Sequence, residues 1–189
     1  MTTSRSRKVQ IESQFSRAAD MYAISEHHSG SDLDTLIEFA EPVSDDVVLD
    51  VATGAGHVAL ALAPLVSSVV ATDLATGMVD KARERGTEAG VPNLECGIAD
   101  AERLPLDDEP FDLVTCRIAP HHFVDINAAI GEAARVLRPG GRYVVVDSMS
   151  PDDPELDAFL DMVERRRDPT HVRSYRRDEW MRIIERAGL

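Results

Sequence analysis

Val47-Val48-Leu49-Asp50-Val51-Ala52-Thr53-Gly54-Ala55-Gly56 is the stretch on which the fold turns. Four apolar residues around Asp50 make a short run suited to a strand buried on both faces. The run breaks into a loop with glycines at 54 and 56, and the loop opens a helix through Val58, Ala59, Leu60, Ala61 and Leu62. Strand, glycine-rich turn and helix form the first half of a βαβ unit of the kind that binds nucleotides. The glycines let backbone approach a ligand at the strand's carboxyl end.

The chain on either side reads as a sheet built outward from this strand. Upstream, residues 1–10 are polar and expected to fray. Ile11 to Tyr22 has helical spacing at Phe15, Ala18, Ala19 and Tyr22. A second helix begins at Ser31 or Asp32, one of which serves as N-cap, and Pro42 stops it. The polar turn S-E-H-H-S-G between them carries His27 and His28. Both helices precede the first strand and are expected to cover the ligand end of the sheet.

Downstream, the spacing predicts strands at 68–72, running into Asp73, and at 94–98, 111–116 and 142–147. Helices are predicted from Thr76 to a stop at Gly90, from Ile126 to Leu137, from Pro154 through Leu156, Phe159, Leu160 and Val163, and from Arg177 to Ala187. Strands alternating with helices imply an α/β fold: a doubly wound, Rossmann-like, mostly parallel sheet with right-handed crossovers. The expected organisation is one domain over residues 1–189, with cover helices in 1–42 and the core in 43–189.

Bulk composition narrows the function. Hydrophobic residues are 43% and charged residues 29%, within the globular range. Against 20 basic residues stand 34 acidic ones, a formal charge of −14, which counts against nucleic acid as a partner. No apolar run is long enough to span a membrane, and the polar, Arg-rich start has no secretory pattern. Cys96 and Cys116 lack metal-ligand spacing and read as buried thiols, so the expected compartment is the cytoplasm.

The acids decide which ligand the glycine loop faces, because G-A-G-H-V-A alone is a weak dinucleotide signal. Asp73 ends the second strand, 23 residues after Asp50, where a carboxylate commonly takes two ribose hydroxyls. That position suits a nicotinamide and an adenosyl cofactor equally. Asp50 stands close to where a pyrophosphate would sit and would repel it, yet it suits a ligand bearing an ammonium and a sulfonium. Asp100, at the third strand's end, can accept a hydrogen bond from an adenine amino group, with the Ala101 amide nearby. Any one of these acids could simply cap a loop or helix. Three at successive strand ends, with no Lys or Arg in the glycine loop, favour S-adenosylmethionine.

Several motifs follow in a specific order. They are V-L-D-V-A-T-G-A-G-H (48–57), V-V-A-T-D-L-A-T-G-M (69–78), G-I-A-D-A-E-R-L-P-L (97–106), F-D-L-V-T-C-R-I-A-P-H-H-F (111–123) and R-V-L-R-P-G-G-R (135–142). In this order the chain resembles class I S-adenosylmethionine-dependent methyltransferases, in particular the ubiquinone/menaquinone C-methyltransferase-like group. The resemblance covers roughly Phe15 to Leu189. It implies that Asp50, Ala52, Thr53, Gly54 and Gly56 flank the methionine part and that Asp73 binds the ribose. It implies too that Leu74 and Met78 lie against adenosine, that Asp100 and Ala101 read adenine, and that Arg117 follows the fourth strand. F-S-R-A-A-D-M-Y (15–22) resembles the family's cover helix and places Tyr22 and His27 over the cofactor. The product would be S-adenosyl-L-homocysteine.

Methyl transfer from a sulfonium is an in-line displacement, accelerated chiefly by holding the acceptor about 3–3.5 Å from the methyl. A base is needed only if the acceptor must lose a proton. His121 and His122 follow the fourth strand at the mouth of the site and are the candidate catalytic residues, against the plainer reading that they pack or hold loop backbone. Arg165, Arg166, Arg167, Arg173, Arg176 and Arg177 read either as a solvated helix end paired with nearby acids or as a surface for an anionic acceptor. The expected partner is a small molecule. Family members usually continue past the equivalent of E-R-A-G-L (185–189) into two more strands, so Tyr143 to Val146 is expected to be an apolar edge. A second copy of the chain, in a homodimer, is one way of covering it.

Overall fold

Val48, Leu49, Leu113 and Val114 expose no side-chain surface. They sit on β1 (Val47–Val51) and β4 (Phe111–Arg117), which run side by side in the middle of the sheet. The computed structural model describes residues 3–24, 30–108 and 110–189. Its five strands are all parallel, in the order β3-β2-β1-β4-β5. β2 is Ser68–Asp73, β3 is Leu94–Ile98 and β5 is Leu137–Val146. Strand order therefore reverses between β1 and β4, and a doubly wound sheet opens its ligand crevice at that point, at the carboxyl ends.

Helices cover both faces. On one, α2 (Ser31–Ala40) and α3 (His57–Leu62) bury Leu36, Ala40, Val58, Ala59 and Leu62 against Val48, Val69 and Leu113. On the other, α5 (Ile126–Val136) buries Ala133 and Val136 against Leu49, Val114 and Cys116. α7 (Arg177–Ala187) backs α5 through Trp180 and Ile183. α4 (Thr76–Glu88) fits tightly beside β3, where a Cβ on Gly86 would lie 2.8 Å from Leu94. α1 (Ser4–Ala23) packs its Phe15, Ala19 and Tyr22 on Ala75 and Met78, at the start of α4.

The architecture agrees with the sequence reading, with instructive departures. Residues 4–10 are helical rather than frayed, because α1 begins at Ser4 behind a Thr3 cap. Of the two N-terminal helices, only α1 acts as a cover; α2 packs on a sheet face. Neither Ser31 nor Asp32 caps α2, whose N-cap is Gly30; Asp32 instead pairs with Arg117 at 2.7 Å. α5 ends at Val136 and β5 starts immediately, with Leu137 beside Phe111 and a register slip before Leu113. R-P-G-G is thus absorbed into an irregular strand rather than forming a separate turn, with Gly140 at φ 79°.

α6 (Pro154–Arg167) forms where expected but turns Leu156, Phe159, Met162 and Val163 outward. Its buried contact is Asp157, which accepts from Ser150 Oγ at 2.5 Å. Cys116 is buried and Cys96 half-buried, both as free thiols. β5 pairs only with β4 among the described residues. No helix among them is long and apolar enough to cross a membrane.

Candidate active site

At the reversal point the backbone is forced into unusual shapes. Ala52, after β1, and Ile118, after β4, take left-handed conformations at φ 54° and φ 50°. Such a conformation costs a non-glycine residue about 1–3 kcal/mol and persists where the surroundings impose it, often at ligand sites. Gly54 (φ 55°) and Gly56 (φ 82°) complete the loop between β1 and α3. A Cβ built on Gly54 would meet nothing within 4 Å, whereas one on Gly56 would press within 3.1 Å of Ala82 on α4. Gly54 thus faces open space, and Gly56 allows helix packing.

These ends surround a cleft of about 120 Å³ that opens to solvent. Of the residues singled out from sequence, Asp50, Ala52, Thr53, Gly54, Asp73, Leu74, Met78, Asp100, Ala101, Arg117, Tyr22 and His122 line it. Gly56 and His121 are not among the residues that line it. His27 and His28 lie outside the described residues. Sequence reasoning missed Lys8 and Ile11 from α1, Glu102, and Ile118, Ala119, Phe123 and Val124 after β4, all of which line the cleft. Phe15 was seen only as a helix-face residue. The stripe 8–11–15–22 was detectable as one helical face, but its first member is a lysine.

The three acids differ in their hold. Asp50 is buried and accepts from Thr53 Oγ1 at 2.6 Å and Thr115 Oγ1 at 2.8 Å. Burial still pushes its carboxyl up to about 6, against the pull of those hydroxyls. Asp73 accepts from the Gly54 and Ala75 N–H groups at 2.9 and 2.8 Å, so it fixes the glycine loop as well as facing the cleft. It too is raised to about 6 by burial, with the backbone donors opposing. Asp100 Oδ2 meets Lys8 Nζ at 2.6 Å, and the same ammonium reaches Glu102 at 2.6 Å. Glu102 in turn accepts from the Val124 and Asp125 N–H groups at 2.7 and 3.0 Å, which fixes the loop after β4.

The two histidines separate. His121 Nδ1 lies 2.6 Å from Asp147 Oδ1, and its backbone N–H donates to Oδ2 at 2.8 Å, a bracket between the loop after β4 and the end of β5. His122 lies on the cleft wall, 4.9 Å from the Phe15 ring and 4.1 Å from His121, centroid to centroid. Burial, with His121 beside it, pushes its imidazole well below the ordinary range, so it is neutral near pH 7.

Four of the six arginines of the island have acidic partners. Arg165 meets Asp161 at 2.7 Å, Arg167 meets Glu164 at 2.5 Å, and Arg173 meets both Asp157 and Glu179 at 3.0 Å. Arg176 reaches Asp157 and Asp178 at 3.2 and 3.3 Å. These four arginines fit the acid-paired helix end of the two readings. At the cleft itself the cations are Lys8 and Arg117, each engaged by a carboxylate.

Fold and site together give a doubly wound α/β domain whose crevice is lined by carboxylates and carries an open glycine loop. The family profile described as "Methyltransferase domain" matches residues 49–145. The methyltransferase YcgJ of Bacillus subtilis is 42% identical over 179 residues, covering 94% of this chain and 71% of that protein. Its crystal structure superimposes with a TM-score of 0.81 at 40% identity, covering 86% of this chain and 68% of that one. The ubiquinone/menaquinone biosynthesis C-methyltransferase UbiE of Geobacter sulfurreducens is 39% identical over 110 residues, 55% of this chain and 42% of that protein. The chain thus spans less than half of the UbiE enzyme. It belongs to the S-adenosylmethionine-dependent methyltransferase family.

Proposed function

We propose that this chain binds S-adenosyl-L-methionine in the cleft and transfers its methyl group, by in-line displacement, to a small-molecule acceptor in the cytoplasm. The observation that carries the reading is the set of three carboxylates, Asp50, Asp73 and Asp100, lining one cleft beside the open Gly54. When bound, the cofactor supplies an electrophilic methyl on a positively charged sulfur. Asp73 accepts from the ribose hydroxyls, Asp100 and the Ala101 amide recognise adenine, and Leu74 and Met78 flank the adenosine. Asp50, Ala52, Thr53 and Gly54 hold the methionine part. Tyr22 and Phe15, on α1, exclude water from above.

His122 is the residue placed to meet the acceptor. Because burial disfavours its charged form, it serves better as a hydrogen-bond acceptor that orients the nucleophile than as a strong base. His121 supports it from behind through Asp147. The strong negative charge of the chain supports a small molecule over a nucleic acid as acceptor.

The carboxylates give the reading a pH signature. The ligand's ammonium and sulfonium favour an ionised Asp50, and its ribose hydroxyls donate best to an ionised Asp73. Burial raises both to about 6, so affinity is expected to be full above that value and to be lost as pH falls through it. One unit below its pKa a group is only about a tenth ionised, so binding at pH 5 is expected to be about tenfold weaker, or more, than at pH 8. Calorimetric titrations with S-adenosylmethionine across this range check it. Affinity that is flat, or that rises toward acid, would contradict the assignment of both acids to the cofactor.

A further inference from the structure

Beside His122 lies a set of buried and half-buried polar groups that the cofactor site does not use. Thr170, in the connection from α6 to α7, has no exposed surface. Its Oγ1 lies 2.6 Å from Asp168 Oδ1, 3.2 Å from His122 Nδ1 and 3.3 Å from Gln14 Nε2 on α1. A hydroxyl has one proton to give and two lone pairs to fill. Asp168 Oδ1 also receives the Thr170 N–H at 2.8 Å and Gln14 Nε2–H at 2.9 Å, so it acts only as an acceptor. Burial alone would raise Asp168; the bonds from Thr170 and Gln14 outweigh it and keep the group ionised. The Thr170 proton therefore goes to Asp168. Both lone pairs are then left for incoming donors, one from Gln14 and one from His122 Nδ1.

We infer that Thr170, oriented by Asp168 and Gln14, is a positioning residue that fixes His122 as the Nδ1–H tautomer and leaves Nε2 bare. A free imidazole has no such fixed choice; the tautomer is set by what the other nitrogen bonds. Nε2 lies 3.9 Å from Asp168 Oδ2, beyond hydrogen-bond reach, so that carboxylate does not claim it. A bare Nε2 accepts a hydrogen bond, which suits an acceptor molecule that presents an O–H or N–H group. Because Gln14 sits on α1, one residue before the Phe15 that packs on the His122 ring, the arrangement is complete only with α1 in place over the cleft.

The use of Nε2 toward an acceptor rests on the function proposed above, whereas the tautomer itself does not, so the two can fail separately. Long-range proton–nitrogen correlation spectra of the six histidine rings read the tautomer directly. His122→Gln identifies the signals. The wild-type chain at pH 7 is expected to show His122 with a protonated Nδ1 and a bare Nε2. Thr170→Val should lower the Nδ1–H population relative to Nε2–H by about fivefold, the effect of one lost hydrogen bond, and Thr170→Ser should restore it. An Nε2–H or doubly protonated His122 in the wild type overturns the inference, as does a folded Thr170→Val chain with an unchanged tautomer. If Thr170→Val fails to fold, the wild-type and Thr170→Ser spectra still decide it. S-adenosylmethionine affinity measured on the same samples reports on the cofactor site separately.

Discussion

Replacing Asp73 with Ala is expected to weaken binding of S-adenosylmethionine and S-adenosylhomocysteine by more than about tenfold each, the cost of removing a charged acceptor from ligand hydroxyls. The two ligands share the ribose, so both should lose affinity by a similar factor. Asp73 does a second job: it accepts the Gly54 and Ala75 N–H groups and so shapes the loop that faces the ligand. Part of the loss will therefore come from a loosened loop. Asp73→Asn separates the parts, since its carbonyl oxygen can keep one backbone donor while the charge is gone. Calorimetry on both variants, with thermal melts to confirm folding, makes the comparison. Unchanged affinity in Asp73→Ala would remove the acid from the cofactor site.

Gly77→Val is expected to have a comparably large effect without touching any ligand-binding group. A Cβ on Gly77 would lie 2.4 Å from the carbonyl oxygen of Ser16 and 2.8 Å from its Cα. These are backbone atoms of α1, so no side chain can rotate away and the helix itself must move. The Gly77 N–H also donates to Ser16 Oγ at 3.1 Å, a bond that ties the start of α4 to the cover. Displacing α1 pulls Lys8, Ile11, Phe15 and Tyr22 from the cleft wall. Cofactor affinity should fall by about tenfold or more, as it does when the binding-competent state is only a tenth populated. Amide exchange in α1 should accelerate while β1 and β4, buried in the sheet centre, stay protected. A Gly77→Val chain with wild-type affinity and wild-type exchange in α1 would show that the helix is no cover.

What the sequence made legible follows from how local each signal is. β1, with its apolar run and glycine loop, is visible in ten residues, and from it come the parallel sheet and the place of the crevice. β3 and α7 have the predicted bounds, β3 because the stop at Gly90 ends the preceding helix locally. The acids at the strand ends were equally plain, since each strand announces its own end.

Long-range contacts left no such mark. The first turns of α1 are charged and read as frayed, but Lys8 meets Asp100 and Glu102, and Arg7 donates to the His171 carbonyl at 2.6 Å. Those partners lie 92 or more residues away, so periodicity could not show them. The bonds joining Gln14, His122, Asp168 and Thr170 are hidden for the same reason. α6 misled differently. Its apolar residues repeat as a buried face would, yet the structure buries the Asp157 side instead, where Ser150, Arg173 and Arg176 satisfy the carboxylate.

Isothermal calorimetry of the 189-residue chain with S-adenosylmethionine, S-adenosylhomocysteine and the oxidised and reduced nicotinamide dinucleotides tests the central claim most directly. The three carboxylates and the open Gly54 predict micromolar binding of both adenosyl ligands and none of either dinucleotide. Preference for a dinucleotide, or no binding of any of the four by a folded sample, would contradict the assignment of the cleft.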